Sequence, residues 1–269
     1  MLLEENLKNV AIAGLLILVA SSYGQLWDNG GFGTGVTSSN GFTAPSGTQW
    51  SELQSVGGTT NTILGFGLNY LAAGGGIRVA DDFTVTGAGW NITSATVFAY
   101  QTGSTTTSTL TSGVLEIWNG VPGGGGSVVF GDTTTNRLTS STFSNIYRIG
   151  NAGGSATSTT RPVMSATLSV GTTLGPGTYW IDYGVAGSLA SGPFGPDVTI
   201  VGQLGKAGAN AVQWNLTAWV PLIDTATSGT GTAPQDMPFI LTGTPVPEPA
   251  SIAALGIGFL ALIRRRRRR

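Results

Sequence analysis

The chain has 269 residues, no cysteine, no histidine, 43 glycines and only 9% charged residues. That composition excludes disulfides, Ser-His-Asp and Cys-His catalytic arrangements, and ordinary zinc sites. The formal net charge of −1 hides an imbalance, because residues 25–247 hold ten acids and five bases while six arginines sit together at positions 264–269; such an acidic body does not suit nucleic acid.

Residues 10–20 (VAIAGLLILVA) form an eleven-residue apolar core followed by the small residues of SSYGQ. This is the pattern of a secretory signal, although Glu4 and Glu5 beside Lys8 make an atypical n-region. Residues 1–24 are therefore expected to be a signal peptide with an N-terminal signal helix. It would pass the secretory translocon and be cut by signal peptidase between Gly24 and Gln25.

Between residues 25 and 244, no window carries a sustained helical period. Short alternating runs bounded by Gly, Pro, Asn or Asp recur instead, and these read as strands and turns. The expected strands are 78–85 (RVADDFTV), 90–100 (WNITSATVFAY), 114–118 (VLEIW), 128–130, 143–149 (FSNIYRI), 162–170 (PVMSATLSV), 178–185 (TYWIDYGV), 197–201, 211–220 and 237–242. In the second of these, Trp90, Ile92, Phe98 and Tyr100 share one parity and so one face. In the seventh, Tyr179, Ile181, Tyr183 and Val185 alternate with Trp180, Asp182 and Gly184. Residues 28–48, 102–112 and 225–236 read as loops, and 242–249 as a spacer. Many short strands separated by turn signals predict an all-β fold, an antiparallel β-sandwich of jelly-roll type.

Chemistry-bearing candidates are few. Glu52, Asp81, Asp82, Glu116 and Asp182 could in principle supply the carboxylate pair of a glycosidase, but their spacing selects no pair. The glycine clusters at 30–35 and 123–126 do not join a strand to a helix and are turns, not phosphate cradles. Adjacent Asp81 and Asp82 are the candidate calcium ligands, although no D-x-D-x-D-G loop is present. The competing reading has Asp82 tying down a neighbouring loop, with Arg78 as its ion-pair partner. No other cofactor and no enzymatic activity are expected.

Among seven tryptophans, Trp90, Trp118 and Trp180 fall in strands and are expected in the core. Trp27 and Trp50 lie in loop-like sequence and are the candidates for stacking on sugar rings of an exopolysaccharide.

The last stretch, residues 245–269, has three parts in order. Val246, Pro247, Glu248, Pro249 and Ala250 come first, the two prolines holding Glu248 extended and open to a processing enzyme. An uncharged apolar run at 252–263 follows, about a dozen residues or roughly 20 Å as a hydrophobic helix, short of the ~20 residues of a comfortable span. Arg264, Arg265, Arg266, Arg267, Arg268 and Arg269 then stop transfer, because such residues stay on the cytoplasmic side.

That order resembles the PEP-CTERM sorting signal of Gram-negative, often biofilm-forming, bacteria. The resemblance implies that a membrane-embedded exosortase recognises Val246–Ala250 and cleaves there. The membrane segment would then be transient and the ectodomain would go to the cell surface or extracellular matrix. The element TLGPGTYWIDY is similar to a strand–Pro-Gly–strand unit of bacterial secreted jelly-roll modules. With ADDFTV and LEIWNG, residues 26–244 resemble a group of PEP-CTERM ectodomains, a likeness that brings no activity with it.

Overall fold

Period-two alternation places successive side chains on opposite faces of a strand, and the regular structure in the computed structural model of this chain is almost wholly made of such strands. It describes residues 23–152, 154, 156–227 and 232–248, and beyond them only Gly256, Ile263, Arg264 and Arg266. Residues 1–22 of the expected signal peptide, Pro249, Ala250 and nearly all of the apolar run thus lie outside the described residues. Among the described residues no helix is long and apolar enough to cross a membrane.

The strands in chain order are β1 (Gly24–Asp28), β2 (Gln49–Glu52), β3 (Ser55–Val56), β4 (Thr59–Thr60), β5 (Phe66–Gly67) and β6 (Ile77–Val85). Then come β7 (Trp90–Ala99), β8 (Leu110–Trp118), β9 (Val128–Asp132), β10 (Leu138–Ile149), β11 (Pro162–Leu174) and β12 (Gly177–Gly187). The remainder are β13 (Phe194–Gly195), β14 (Val212–Asn215), β15 (Trp219–Pro221), β16 (Ile223–Asp224), β17 (Ala233–Pro234) and β18 (Phe239–Pro245). A front sheet runs β1-β18-β7-β11-β10-β2 and a back sheet β15-β14-β6-β12-β8-β9. Pairing in the two sheets is antiparallel except between β10 and β2. The architecture is a β-sandwich.

The core lies between the sheets. From the back sheet, Val79, Phe83, Val85, Leu115, Ile117, Ile181, Tyr183 and Val185 meet Ile92, Val97, Met164, Leu168, Phe239 and Leu241 of the front sheet. The fit is tight enough that a Cβ on Gly113 of β8 would stand 2.6 Å from Leu168 of β11. The alternation expected for 178–185 is realised: Ile181, Tyr183 and Val185 enter this core, while Trp180, Asp182 and Gly184 face the other way.

Four expectations need correction. Trp90, Ile92, Phe98 and Tyr100 do not share a face. The registers of β7 with both neighbours shift between Ile92 and Ser94, so Ala95, Val97 and Ala99 continue the main core while Phe98 and Tyr100 join a separate cluster with Phe32 and Val163. Residues 197–201 form no strand, because their backbone bonds go to two different segments: Val198 N–H to Asp236 and Thr199 N–H to Gly31. Residues 211–220 divide into the short hairpin β14–β15. Finally, 242–249 is no free spacer, since β18 runs to Pro245 with β7 beside it.

Buried ion pairs pin the irregular segments. Arg148 of β10 is fully buried and spends its guanidinium on four acceptors. Nε donates to Leu64 O at 2.8 Å, Nη1 to Ser51 Oγ and Thr199 Oγ1 at 2.9 and 2.8 Å, and Nη2 to Asp197. A charge held in this way is tolerated because every guanidinium nitrogen finds an acceptor; deleting one partner would strand the other.

Candidate functional site

The sorting segment leaves the fold abruptly. Pro245 closes β18 opposite Trp90, and one residue later Val246 N–H donates to Gly89 O at 2.8 Å. Gly89, in the β6–β7 turn, has φ +122°, and any Cβ there would stand 2.4 Å from Leu174 O, so the turn demands glycine. Val246 is half-buried; Pro247 and Glu248 are exposed, with Glu248 reaching to within 3.9 Å of where a Cβ on Gly87 would be. Arg264 and Arg266 are exposed, and the other four arginines lie outside the described residues. At the opposite end, Gly24 and Gln25 open β1 and pair with Gly243 and Thr242 of β18. The expected signal cleavage point therefore stands on the strand beside the one that leads into the sorting motif.

The outer face of the back sheet gathers a second set of groups. Across β14, β6, β12 and β8, the registers Trp214↔Arg78, Asp182↔Ala80, Asp182↔Glu116 and Trp180↔Trp118 put Trp214, Arg78, Asp182, Glu116, Trp180 and Trp118 on one surface. Trp219 of β15 folds across it: its ring lies 5.9 Å from Trp214, 6.3 Å edge-on from Trp118 and 5.8 Å from the Arg78 guanidinium. Tyr70 crosses the same face over Gly184, which has no side chain to obstruct it, and bonds Ser112 Oγ at 2.7 Å. Trp118, Trp214 and Trp219 are all half-exposed.

Beneath these rings Arg78 Nε donates to Asp182 Oδ1 at 3.0 Å. Burial pushes the Asp182 carboxyl up to about 7; Arg78 opposes the rise and the adjacent Glu116 reinforces it. A guanidinium, two neighbouring carboxyls and half-exposed indoles form the surface type that grips polyhydroxylated rings by stacking and hydrogen bonding. The expected burial holds for Trp180, although it lies on this outer face, and fails for Trp118, which stays half-exposed. Period two alone says that they oppose Ile117 and Ile181, but not which face is inward. The sequence also selected no carboxylate pair, because Asp182 and Glu116 meet only through the β8–β12 register.

Of the two stacking candidates from sequence, Trp50 is corrected, whereas Trp27 is half-exposed. Trp50 is 2% exposed, donates its indole N–H to Phe42 O at 2.9 Å and packs on Tyr147. Residues 35–44 cover it, so it offers no surface to a sugar. Trp27 packs against the main core with its indole nitrogen buried.

The calcium reading is corrected too, because adjacent strand residues face opposite ways. Asp81 points into the core and is 0% exposed, while Asp82 is half-buried on the outer face opposite Trp180. It is Asp81, not Asp82, that ties down neighbouring chain: Oδ2 accepts from Asn29 Nδ2 and Met237 N–H, both at 2.7 Å. Arg78 pairs with Asp182 instead. Burial, reinforced by Asp236, raises the Asp81 carboxyl well above the usual range. Lys206 closes the cluster, 2.8 Å from Asp236 and 3.1 Å from Asn29 Oδ1. Among the described residues no group of three or more His, Cys, Asp or Glu side chains could hold a metal ion.

The fold and its exposed Pro-Glu segment define a class: an all-β domain delivered with a C-terminal processing signal. Residues 245–269 match the family of the PEP-CTERM protein-sorting motif. The chain is thus a PEP-CTERM domain-containing protein, targeted to an exosortase and exported to the cell surface or beyond. Comparison with curated proteins and with solved structures returns no match.

Proposed function

We propose that this chain is a non-enzymatic structural protein of the surface or biofilm matrix of a Gram-negative bacterium. In this reading signal peptidase releases Gln25, the C-terminal apolar run holds the protein briefly in the inner membrane, and the exosortase cuts within Val246–Ala250. The observation that carries the reading is the sorting motif at 245–269, directly continuous with a sandwich strand. The sandwich, jelly-roll in type, supplies a body that packs without disulfides. The test is mass spectrometry of the exported pool from an exosortase-bearing host. Loss of residues 252–269 from the mature protein is expected; their retention in most of the pool would end the proposal.

A second reading, binding to exopolysaccharide, is favoured by the outer back face, where Trp219, Trp214 and Trp118 stay half-exposed around Arg78 and Glu116. Retention of the exported protein on a column of host exopolysaccharide, compared with Trp219→Ala, tests it. Equal retention of the two proteins would remove the reading.

A further inference from the structure

The ectodomain has five basic side chains, and four have an aspartate partner: Arg78 with Asp182, Arg137 with Asp132, Arg148 with Asp197 and Lys206 with Asp236. Arg161 is the exception. It makes no ion pair among the described residues, and its Nη1 is buried without a hydrogen-bond partner. A guanidinium carries five donors in a fixed fork, and an unpaired buried donor in a folded protein calls for a reason.

Arg161 lines a cavity of about 250 Å³ at one end of the sandwich, on the opposite side of the front sheet from the main core. Tyr100, Thr102 and Ser191 share the lining with it, and Phe194 forms an apolar wall 5.9 Å from the Tyr100 ring. Reciprocal backbone bonds between Tyr100 and Phe194, at 2.8 and 2.9 Å, fix these two side chains. Gly65 keeps the space open, since a Cβ there would lie 2.7 Å from Tyr100 Oη. Behind the wall, Arg148 Nε holds Leu64 O, and Asp197 neutralises that second guanidinium. One positive charge is left facing the cavity in a body whose net charge is negative.

We propose that this cavity is a binding site for an oxyanion, a carboxylate, sulfate or phosphate group carried on a small hydroxylated molecule. The Arg161 fork takes two oxygens of the group, a geometry guanidinium matches better than ammonium does. The Tyr100, Thr102 and Ser191 hydroxyls serve the remaining oxygens. Burial pushes the Tyr100 phenol up to about 12, so it stays a donor at any physiological pH. The volume, below the ~300–1,000 Å³ of drug-sized pockets, limits the occupant to about one sugar residue or less. The site lies apart from the tryptophan face and stands or falls independently of it.

The experiment is a calorimetric and NMR titration of the exported protein with sodium glucuronate, sulfate and phosphate, using glucose as the neutral control. Saturable binding of at least one anion, with Kd on the order of 1 mM or tighter, is expected, and none of glucose. Binding of glucuronate alone assigns an acidic sugar; equal binding of sulfate or phosphate assigns a free oxyanion. Arg161→Gln should weaken binding about tenfold or more and leave the urea midpoint unchanged, because Nη1 bonds nothing in the fold. Gly65→Ala should block the site by crowding Tyr100. Absence of binding by all three anions would overturn the proposal. So would undiminished binding by Arg161→Gln, whether or not that variant loses stability.

Discussion

Trp50 and Trp219 sit on opposite sheets, each near an edge, and differ in what covers them. Over Trp50 the chain returns as a backbone layer: Trp50 N–H bonds Gly35 O at 2.8 Å, Thr34 N–H bonds Trp50 O, and the indole bonds Phe42 O. Over Trp219 the neighbouring loop is glycine-rich, and Gly123, at φ +75°, approaches the ring with no side chain of its own. A covering layer with side chains and hydrogen bonds makes a tryptophan part of the core; a bare glycine loop leaves it half in solvent. Local sequence around the indole indicates neither outcome, because the cover comes from elsewhere in the chain.

The sharpest break of this comparison is Trp50→Ala. It should cost about 3–5 kcal/mol in urea unfolding, as large-to-small changes in packed cores do, while protein that remains folded keeps its polysaccharide retention unchanged. A cost near zero would mean that residues 35–44 are not a layer at all.

The next effect is one of pH. With the Asp182 carboxyl raised by burial to about 7, the unfolded chain ionises this position first. The contribution is full below about pH 4, where both states are protonated, and is lost progressively as pH climbs toward 7, with a slope of at most ~1.4 kcal/mol per unit. Asp81 and Asp197 are raised in the same sense, so the informative quantity is the difference between wild type and Asp182→Asn across that window. Parallel curves for the two proteins would remove the raised Asp182 carboxyl from beneath the tryptophans.

The smallest expected stability change belongs to Trp219→Ala, about 1 kcal/mol from lost ring contacts, accompanied by loss of retention on exopolysaccharide. A large stability loss with retention intact would make Trp219 another Trp50.

How far the sequence could be read follows the same logic. The alternation in 178–185 placed Ile181 and Tyr183 correctly because both neighbouring strands keep register through it. In 90–100 it misled, since the register shift near Thr93 is set by β11 and β18, far away in the chain. Asp81 broke the pattern: a carboxylate on the core side of β6 exists only because Asn29 and Met237 arrive to satisfy it. The Pro-Glu-Pro segment was legible because a peptide read by an enzyme carries its information locally. Arg161 left no trace in the sequence, since its distinction is the lack of a partner that the other four bases possess.

The seating of β18 has a mechanical consequence. Tension applied at Pro245, where tail and body meet, runs along the axis of a strand flanked by β1 on one side and β7 on the other. Such a pull loads both ladders in shear, so their bonds share the force instead of opening one after another like a zip. A body tethered through this strand would resist drag from flow far better than one hung from a loop.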